Sequence, residues 1–443
     1  MYIQELQLQN FRKFEDITLQ FHPQFNILIG ENASGKTTIC DAIKRIIHVL
    51  IYHNGLMPFS AKLDNHSNDF RYSFPKELSQ EHYFPLRITV SLSEFLESNS
   101  KWTFQKDHYT DHYTFQSDID ISIKELQKKI QSKISNGEKI VLPLFAYYGI
   151  PRTEKQQKNQ FKNFSESRLN AYKTCLDGNC NTRPFFNWLY RQFLIELKTK
   201  QKNTIIGTVR EAIKKAIPDC QEIEYDPVID EVVVSLGEQT FSFNDLSDGY
   251  RSMLGMVADI AHRMARLNPD LEAEVLQQTP GIVVIDELDL HLHPKWQYSV
   301  VENLRSIFPK VQFIATTHSP FIIQSARDGE VINLDNIGTV LSSPGEYRKA
   351  AFPGPSERYD KKGIEEIAEE IQKVEVSYRS QRRQKMYEAA QEYYKILNEI
   401  PNASDEEKRT KKENLDNLLN PYMDNVAYAA FLKMERAAAG IDK

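Results

Sequence analysis

The sequence predicts an α/β protein in which a mostly parallel sheet lies between helices and is followed by an all-helical C-terminal region. Three observations support this prediction. A short apolar run at 25–29 ends in a glycine-bearing loop that leads into a helical pattern at 37–50. Strand-like and helix-like segments then alternate between 231 and 334. Beyond a linker rich in Pro, Gly and Ser at 343–356, apolar residues recur at helical spacing.

The N-terminal segment predicts two strands joined by a turn and a third strand that is buried. Apolar and polar residues alternate at 3–9 and at 17–21, and these two runs flank a turn at 11–14. The run 25–29 is almost continuously apolar, as in strands that are covered on both faces. With its loop and the helix at 37–50, it forms a strand, loop and helix unit.

The middle of the chain is divided by composition. Residues 53–120 are polar and aromatic, with a strand-like pattern only at 86–92, and we interpret them as an insertion. A buried strand is predicted at 141–148. Residues 151–215 carry 14 Lys and Arg against 5 Asp and Glu, with an apolar helical face at 185–194. This segment is therefore basic within a chain whose formal net charge is −6.

The C-terminal half predicts the remaining strands, helices and tail. Strands are expected at 231–236, 281–285, 312–315 and 331–334, and helices at 250–267 and 296–308. The tail shows two apolar stripes, at Ile364, Ile367, Ile371 and Val374 and at Met386, Ala389, Ala390, Tyr393 and Leu397. The predicted domains are an N-terminal lobe (1–52), an insertion within it (53–140), a central basic helical segment (141–230), a C-terminal lobe (231–342) and a helical tail for oligomer or partner contacts (357–443).

Composition and charge exclude several classes of protein. With 41% hydrophobic and 26% charged residues, the chain is neither disordered nor collagen-like as a whole. A net charge of −6 excludes a wholly basic coat for nucleic acid. Four cysteines are too few for a disulfide framework, so we expect reduced thiols. Neither a signal peptide nor an apolar span of ~20 residues is evident, and we expect a soluble, cytoplasmic protein without membrane contact.

The segment 30–37 fits the pattern G-x-x-x-x-G-K-[ST] in the strand-to-helix context that this pattern requires. Glycines in such a loop let the backbone wrap around a phosphate, and N–H groups at the helix N-terminus supply hydrogen-bond donors. Lys36 is expected to bridge the β- and γ-oxygens of ATP, and Thr37 to offer its hydroxyl to Mg²⁺. The residues predicted to bind nucleotide are Gly30, Asn32, Ala33, Ser34, Gly35, Lys36, Thr37 and Thr38.

Two adjacent carboxylates, Asp286 and Glu287, follow the apolar strand predicted at 281–285. They lie at the carboxyl end of the strand, where open α/β sheets bind ligands. Asp286 is expected to hold Mg²⁺ together with Thr37, and Glu287 to polarise the water that attacks the γ-phosphate. Combined with the phosphate-binding loop, the pair predicts an ATPase that uses ATP and Mg²⁺.

Two further motifs resemble those of ABC-type ATPases. The segment 246–251 precedes a helix and resembles the L-S-G-G-Q signature, and 316–320 follows a strand and resembles the switch-histidine loop. All motifs occur in the order expected of an ABC head domain. Together with 10–14 and 286–294, they make the chain similar to the SMC/RecF/OLD-like ATPases over roughly residues 1–50 and 140–340.

This resemblance implies an ABC-type ATPase head, with a mixed sheet, flanking helices and ATP-Mg²⁺ bound between two copies of the chain. In such heads His318 senses the γ-phosphate and acts in catalysis with Asp286 and Glu287. The resemblance makes Arg12 and Lys13 candidates for contacting the phosphates or ribose of ATP. The residues implied to act from the opposite subunit are Ser247, Asp248, Gly249 and Asp289. A homo-oligomer, at least a dimer, is therefore expected.

The chain departs from the family pattern in ways that predict slow hydrolysis. Asp248 replaces the first glycine of the signature, and Tyr250 replaces its glutamine. The glutamine of the family's Q-loop is not evident after the strand at 141–148, and Gln156 is only a weak candidate. A weaker grip on ATP and a slower reaction would suit a protein that uses ATP mainly as an assembly clamp.

Histidine pairs at 291 and 293 and at 108 and 112 have the appearance of metal ligands. We expect His291 and His293 to belong instead to the loop between subunits. The residues around His108 and His112 favour strand or loop over a zinc-binding helix.

Within the group, the chain resembles most the stand-alone ATPase subunits of bacterial anti-phage systems of the Septu (PtuA) type, with the PARIS ATPase a near relative. Such subunits act with a separate nuclease, an HNH protein in Septu. A Toprim pattern does not follow His318, so the chain is not expected to be a nuclease itself. The basic segment 151–215 is a candidate DNA contact. Two alternatives stay open: a RecF-like DNA-repair ATPase, and a nucleotide-binding scaffold with negligible turnover.

Overall fold

The structure, a computed structural model, describes most of the chain before the tail. Its described residues are 1–52, 72–73, 81–95, 98–108, 114–117, 132–133, 136–153, 167–180, 182–200 and 203–335, with a few positions between 364 and 421. The chain forms two compact units, Met1–Ile367 and Ala368–Lys443, and each is described by itself.

Sixteen strands and eight helices are assigned among the described residues before the tail. The strands are β1 (Tyr2–Phe11), β2 (Phe14–Gln20), β3 (Phe25–Ile29), β4 (Tyr72–Ser73), β5 (Glu81–His82), β6 (Leu86–Phe95), β7 (Ser98–Lys106), β8 (Thr114–Ser117), β9 (Leu144–Thr153), β10 (Gly178–Cys180), β11 (Cys220–Asp226), β12 (Glu231–Leu236), β13 (Gln239–Ser242), β14 (Gly281–Ile285), β15 (Val311–Thr316) and β16 (Val331–Asn333). The helices are α1 (Lys36–Tyr52), α2 (Arg183–Thr199), α3 (Thr204–Ala216), α4 (Asp248–Leu267), α5 (Val275–Gln278), α6 (Pro294–Gln297), α7 (Val300–Ile307) and α8 (Pro320–Gln324).

A six-stranded parallel sheet forms the centre of the first unit, in the order β10-β9-β14-β15-β3-β16. Every residue of β3, β14 and β15 is buried, which explains their nearly continuous apolar sequences. The strands are in register, so that Ile285 of β14 pairs with Tyr148 of β9 and with Ala315 of β15. Their carboxyl ends therefore meet at one edge. The predicted α/β fold with flanking helices is confirmed.

A five-stranded antiparallel sheet has the order β2-β1-β6-β7-β8. The predicted hairpin at the N-terminus is present as β1 and β2, with Phe11 paired to Phe14. Strands β6 to β8 come from the segment interpreted as an insertion, and β6 pairs directly with β1. Apart from 86–92, the sequence did not indicate these strands, because Ser, Lys, Thr and Gln separate the few large apolar residues of β7.

Two predicted elements differ in the structure. The strand at 231–236 was expected in the parallel alternation, but β12 lies in a separate antiparallel sheet, β11-β12-β13. Connections as short as 237–238 allow only antiparallel pairing, because a parallel crossover needs about a dozen residues. The helix predicted at 296–308 is divided into α6 and α7, with Tyr298 and Ser299 between them.

The tail can be compared with its prediction only in part. Residues 412–418 are helical, and so are the described stripe positions Ile364, Ile367, Ala389 and Tyr393. The other stripe residues, Ile371, Val374, Met386, Ala390 and Leu397, lie outside the described residues. Among the residues that are described, no helix is both long and apolar enough to cross a membrane.

His262 on α4 makes the fold sensitive to acid. It is 3% exposed and packs against the rings of Trp188 and Phe185, with centroids 5.3 and 6.2 Å away. Burial, reinforced by the charges of Arg266 and Arg263, lowers the pKa of this imidazole well below its usual value. The folded chain therefore keeps His262 neutral at pH values at which the unfolded chain protonates it.

We predict that the contribution of His262 to the free energy of unfolding is complete above about pH 6.5. As the pH drops to about 5, protonation of this residue in the unfolded chain lowers the free energy of unfolding by up to about 2 kcal/mol. The measurement is denaturant unfolding across this pH range for the wild type and for His262→Gln, which cannot titrate. The variant should show a flatter pH dependence, whatever its absolute stability. If the free energy of unfolding depended on pH equally in both proteins, the role assigned to His262 would be contradicted.

Candidate functional site

The phosphate-binding loop predicted from the sequence lies between β3 and α1. Gly30 and Gly35 have φ values of 147° and 104°, and Ala33 between them has a φ of 64°. A Cβ added to Gly30 would lie 2.7 Å from the Oγ of Ser34, and one added to Gly35 would lie 2.5 Å from the ring of Phe14. Both glycines are therefore required by conformation and by close approach.

The side chain of Lys36 folds back into this loop. Its ammonium donates hydrogen bonds to the carbonyl oxygens of Gly30 (2.8 Å) and Glu31 (2.9 Å). Burial lowers the pKa of Lys36, while the nearby carboxylates of Asp335, Asp286 and Glu287 oppose this effect. The ammonium thus lies in reach of both the loop and the carboxylates predicted to act on ATP.

The loop also has an unsatisfied donor. The hydroxyl of Ser34 is buried and has no hydrogen-bond partner among the described residues. A buried polar group without a partner is costly, and a phosphate oxygen at this position would satisfy it. Thr37 is exposed and Thr38 half-buried at the start of α1, and Asn32 and Ala33 are exposed on the loop. The residues present therefore fit a polyphosphate with its Mg²⁺ ion.

The tip of the β1–β2 hairpin lies against the loop. The ammonium of Lys13 donates to the carbonyl oxygen of Ala33 at 2.8 Å, and the ring of Phe14 packs on Gly35. Arg12 forms an ion pair of 2.7 Å with Asp41 on α1. The structure thus brings Arg12 and Lys13 next to the loop, as expected. Asp41, which fixes the guanidinium of Arg12, was not found from the sequence.

Asp286 and Glu287 follow β14 at the same edge of the sheet, and one hydroxyl holds them both. The Oγ1 of Thr316, which is 1% exposed, donates to Oδ1 of Asp286 at 2.7 Å and accepts the N–H of Glu287 at 2.7 Å. Glu287 has a φ of 54°, which is uncommon for a residue with a side chain. Such strain persists where the surrounding structure fixes it and is frequent at functional sites.

Asp289 and the switch loop form a second connected group. The hydroxyl of Thr317 donates to Oδ1 of Asp289 at 2.5 Å, and the backbone N–H of His318 donates to the same oxygen at 3.3 Å. The imidazole of His318 is exposed. Asp289, expected to act across an interface, is thus also bonded within its own chain.

The signature segment lies at the start of the long helix α4. Ser247 is the N-cap residue and is exposed, and its side chain does not cap the helix. Asp248 forms an ion pair with Arg251. A Cβ added to Gly249 would lie 2.5 Å from the carbonyl oxygen of His291, so that only glycine fits there. The signature and the loop after β14 therefore pack together in one chain.

Tyr148 connects the carboxylate strand to the signature helix. Its carbonyl oxygen accepts the N–H of Asp286 at 2.7 Å, and its hydroxyl donates to Asp259 of α4 at 2.8 Å. Asp259 also accepts a hydrogen bond of 2.8 Å from Arg263, which donates in turn to the carbonyl oxygen of Lys173 at 2.9 Å. All three side chains are buried. Because breaking a buried ion pair is costly, this network fixes α4 on the sheet.

The remaining predicted residues take other positions. His293 uses its Nδ1 to accept the N–H of Lys295 at the start of α6, and His291 is exposed on the loop before it. His108 lies after β7 with its ring 6.1 Å from that of Phe84. His112 and the Q-loop candidate Gln156 lie outside the described residues.

The basic segment is only partly described. Lys198 and Lys200 are exposed at the end of α2, whereas Lys202 lies outside the described residues. Lys214 on α3 forms ion pairs with Glu211 and Glu222, so part of the basic charge is compensated locally.

Removing the hydroxyl of Thr316 tests how the carboxylates are held. We predict that Thr316→Val lowers ATP turnover at saturating ATP by about tenfold or more, because Asp286 and the N–H of Glu287 both lose a buried partner. The measurement is steady-state phosphate release. Thr103→Val is the matched control, since its hydroxyl bonds Thr89 at 3.1 Å in the antiparallel sheet. Wild-type turnover in a folded Thr316→Val protein would contradict the assigned role.

Comparisons with known proteins identify the family of the chain. The sequence matches the family described as "AAA domain, putative AbiEii toxin, Type IV TA system" over residues 25–324. The retron Vc95 probable ATPase of Vibrio cholerae serotype O1 biovar El Tor is 24% identical, over 74% of this chain and 72% of the relative. Septu protein PtuA of Bacillus thuringiensis is 25% identical, over 90% of this chain and 89% of that protein.

Two further comparisons are more limited. The DNA replication and repair protein RecF of Lactococcus lactis subsp. cremoris (strain MG1363) is 51% identical over 43 residues, 10% of this chain and 12% of RecF. Among solved structures, the SMC head domain from Thermotoga maritima aligns with a TM-score of 0.42 and 15% identity, covering 75% of this chain and 94% of that one.

The family match extends from β3 to α8 and therefore includes the phosphate-binding loop, the signature helix, the carboxylate strand and the switch loop. The chain belongs to the family described as AAA domain, putative AbiEii toxin, Type IV TA system, and it is an ABC-type ATPase of the SMC/RecF-like group.

Proposed function

We propose that the chain binds ATP with Mg²⁺ and hydrolyses it at a site shared by two copies. The observation that supports this most is the convergence at one sheet edge of a glycine cradle, the ammonium of Lys36 and two carboxylates. Strand β15 lies between β3 and β14 in the parallel sheet, so the loop that follows β3 and the carboxylates that follow β14 lie at the same edge. Such a set of residues is what phosphoryl transfer requires.

Each group has a distinct task in this proposal. Lys36 leaves the carbonyl oxygens of the loop and binds the β- and γ-phosphates, and the hydroxyl of Ser34 donates to a phosphate oxygen. Thr37 and Asp286 would hold a Mg²⁺ ion, whose charge would offset that of the phosphates. Glu287 accepts a proton from the attacking water as the water oxygen bonds to the γ-phosphorus. The bond from this phosphorus to the β–γ bridging oxygen breaks, ADP leaves with that oxygen, and His318 contacts the γ-phosphate.

The second copy completes the site through its signature segment. Ser247 is exposed at the N-terminus of the 20-residue helix α4, a position that favours anions. Asp248 places a negative charge there, compensated in part by Arg251. This charge supports the expectation of slow hydrolysis. Gly249, in the signature, and Asp289, in the loop after β14, are proposed to act from the second copy together with Ser247.

A carboxylate-to-amide change tests the proposed chemistry. We predict that Glu287→Gln lowers turnover by about a hundredfold or more and accumulates an ATP-bound dimer, because the amide cannot accept the proton of the attacking water. Lys36→Ala should abolish nucleotide binding. The measurements are phosphate release and molar mass in solution with and without ATP. Glu238→Gln, an exposed position in the β12–β13 turn, is the control. Unchanged turnover in Glu287→Gln would reject the catalytic assignment.

At the level of the cell, we propose that the ATPase scaffolds and regulates a separate nuclease, of HNH type, in bacterial anti-phage defence. The names of the retron and Septu relatives support this proposal, and nuclease chemistry is assigned to the partner and not to this chain. The test is protection against phage in cells that express the chain together with a candidate HNH nuclease. Protection should require both genes and Lys36. Full protection by the ATPase alone would contradict the proposal.

A second candidate function is DNA repair in the manner of RecF. The local identity to RecF favours it, as do Lys198 and Lys200, which lie exposed in the segment 151–215 and are suited to contact phosphate groups of DNA. Tight, salt-sensitive binding to gapped DNA without a nuclease partner would distinguish this function from defence.

A further inference from the structure

Asp335 is an acidic residue beside the phosphate-binding loop that the sequence patterns do not single out. It follows β16 by two positions, and β16 pairs in parallel with β3, which leads into the loop. The N–H of Leu334 donates to the carbonyl oxygen of Ile29 at 2.9 Å, and the N–H of Asp335 donates to the side-chain oxygen of Asn333 at 2.9 Å. The backbone thus carries the Asp335 carboxylate to the beginning of the loop.

The carboxylate holds the first turn of the loop. Its Oδ2 accepts the N–H of Glu31 at 2.8 Å, and its Oδ1 would lie 3.1 Å from a Cβ added to Gly30. The carbonyl oxygens of these same two residues accept hydrogen bonds from the ammonium of Lys36. Gly30 and Glu31 are therefore held by two side chains at once, through the N–H of Glu31 by Asp335 and through two carbonyl oxygens by Lys36.

Only one of these two restraints can persist when nucleotide binds. In the proposed function, Lys36 leaves the two carbonyl oxygens in order to bind phosphate, and the restraint that it supplied is lost. The hydrogen bond from the N–H of Glu31 to Asp335 does not involve Lys36, so it can persist when Lys36 binds phosphate. A hydrogen bond from an N–H to a carboxylate is also stronger than one between neutral groups.

We propose that Asp335 is a positioning residue of the nucleotide site, whose side chain keeps the first turn of the phosphate-binding loop in its phosphate-binding form after Lys36 has moved to the nucleotide. This inference rests on the proposed function of the loop. It adds to the site a residue that lies 304 positions after Glu31 in the sequence. The task requires a hydrogen-bond acceptor for the N–H of Glu31, which an amide oxygen also supplies. An amide oxygen can therefore replace the carboxylate, whereas a methyl group cannot.

The experiment compares Asp335→Ala and Asp335→Asn in the full chain, by equilibrium binding of a fluorescent ATP analogue and of ADP. The alanine variant is expected to bind both nucleotides about tenfold more weakly, since it loses a hydrogen bond to a charged group. The asparagine variant is expected to stay within about threefold of the wild type. Asp328→Ala, exposed before the other end of β16, is the control and should bind as the wild type does.

Asn333→Ala gives a second route if Asp335→Ala does not fold. It removes the acceptor that holds the N–H of Asp335 but keeps the carboxylate, and it should weaken binding in the same direction. Affinity within about twofold of the wild type in Asp335→Ala, or a loss in Asp335→Asn equal to that in Asp335→Ala, would overturn the proposal.

Failure of this inference can be separated from failure of the proposed function. If the wild type binds nucleotide and Lys36→Ala does not, the loop is a nucleotide site and the Asp335 variants alone decide the inference. If the wild type and Lys36→Ala bind equally weakly, the proposed function itself fails.

Discussion

The loop after β3 and the carboxylates after β14 meet because parallel strands end together at one edge of the central sheet. Strands β14 and β15 are in register with each other, and β3 lies beside β15. Every residue of these three strands is buried, and the hydrogen bonds between neighbouring strands hold this register. The positions of the candidate site residues at this edge therefore depend on how the strands pack in the interior of the protein. Thr316 shows the dependence directly, since it reaches two residues of β14's carboxyl end from the end of β15.

The same sheet also fixes the signature helix. Tyr148 bonds to Asp286 through its backbone and to Asp259 of α4 through its hydroxyl, so that one residue touches the carboxylate strand and the signature helix. Buried groups of this kind are costly unless every partner is present, and here Arg263 completes the set. A shift of α4 would therefore be transmitted to β14. In the proposed dimer, such a connection would link the signature that faces one nucleotide to the carboxylates that face the other.

The sequence was sufficient for those parts of the site that lie within one short segment. The loop at 30–37, the strands on either side of it and the pair Asp286 and Glu287 are local patterns, in which residue type and spacing carry the chemistry. The confirmed fold class follows from the same local patterns. The roles of the individual site residues remain predictions.

The parts that could not be predicted depend on contacts between distant residues. Asp335 bonds to Glu31 across 304 positions, and Thr316 bonds to Asp286 across 30, so neither role leaves a local pattern. The antiparallel pairing of β6 with β1 likewise joins residues 78 to 91 positions apart, which alternation alone does not specify. The strand at 231–236 was predicted but placed in the wrong sheet, because the prediction relied on its apolar residues. The short turns on either side of it indicate antiparallel pairing with its neighbours.

A mixing experiment tests most directly the central claim that the ATP site is shared by two copies. Lys36→Ala and Ser247→Arg each inactivate every site of their own homodimer, but a mixed dimer has one intact site, with Lys36 from one copy and Ser247 from the other. Our account predicts that two inactive proteins regain ATP hydrolysis on mixing, up to about a quarter of the wild-type rate for random dimers. Absence of any recovery, with both variants folded and able to associate, would contradict it.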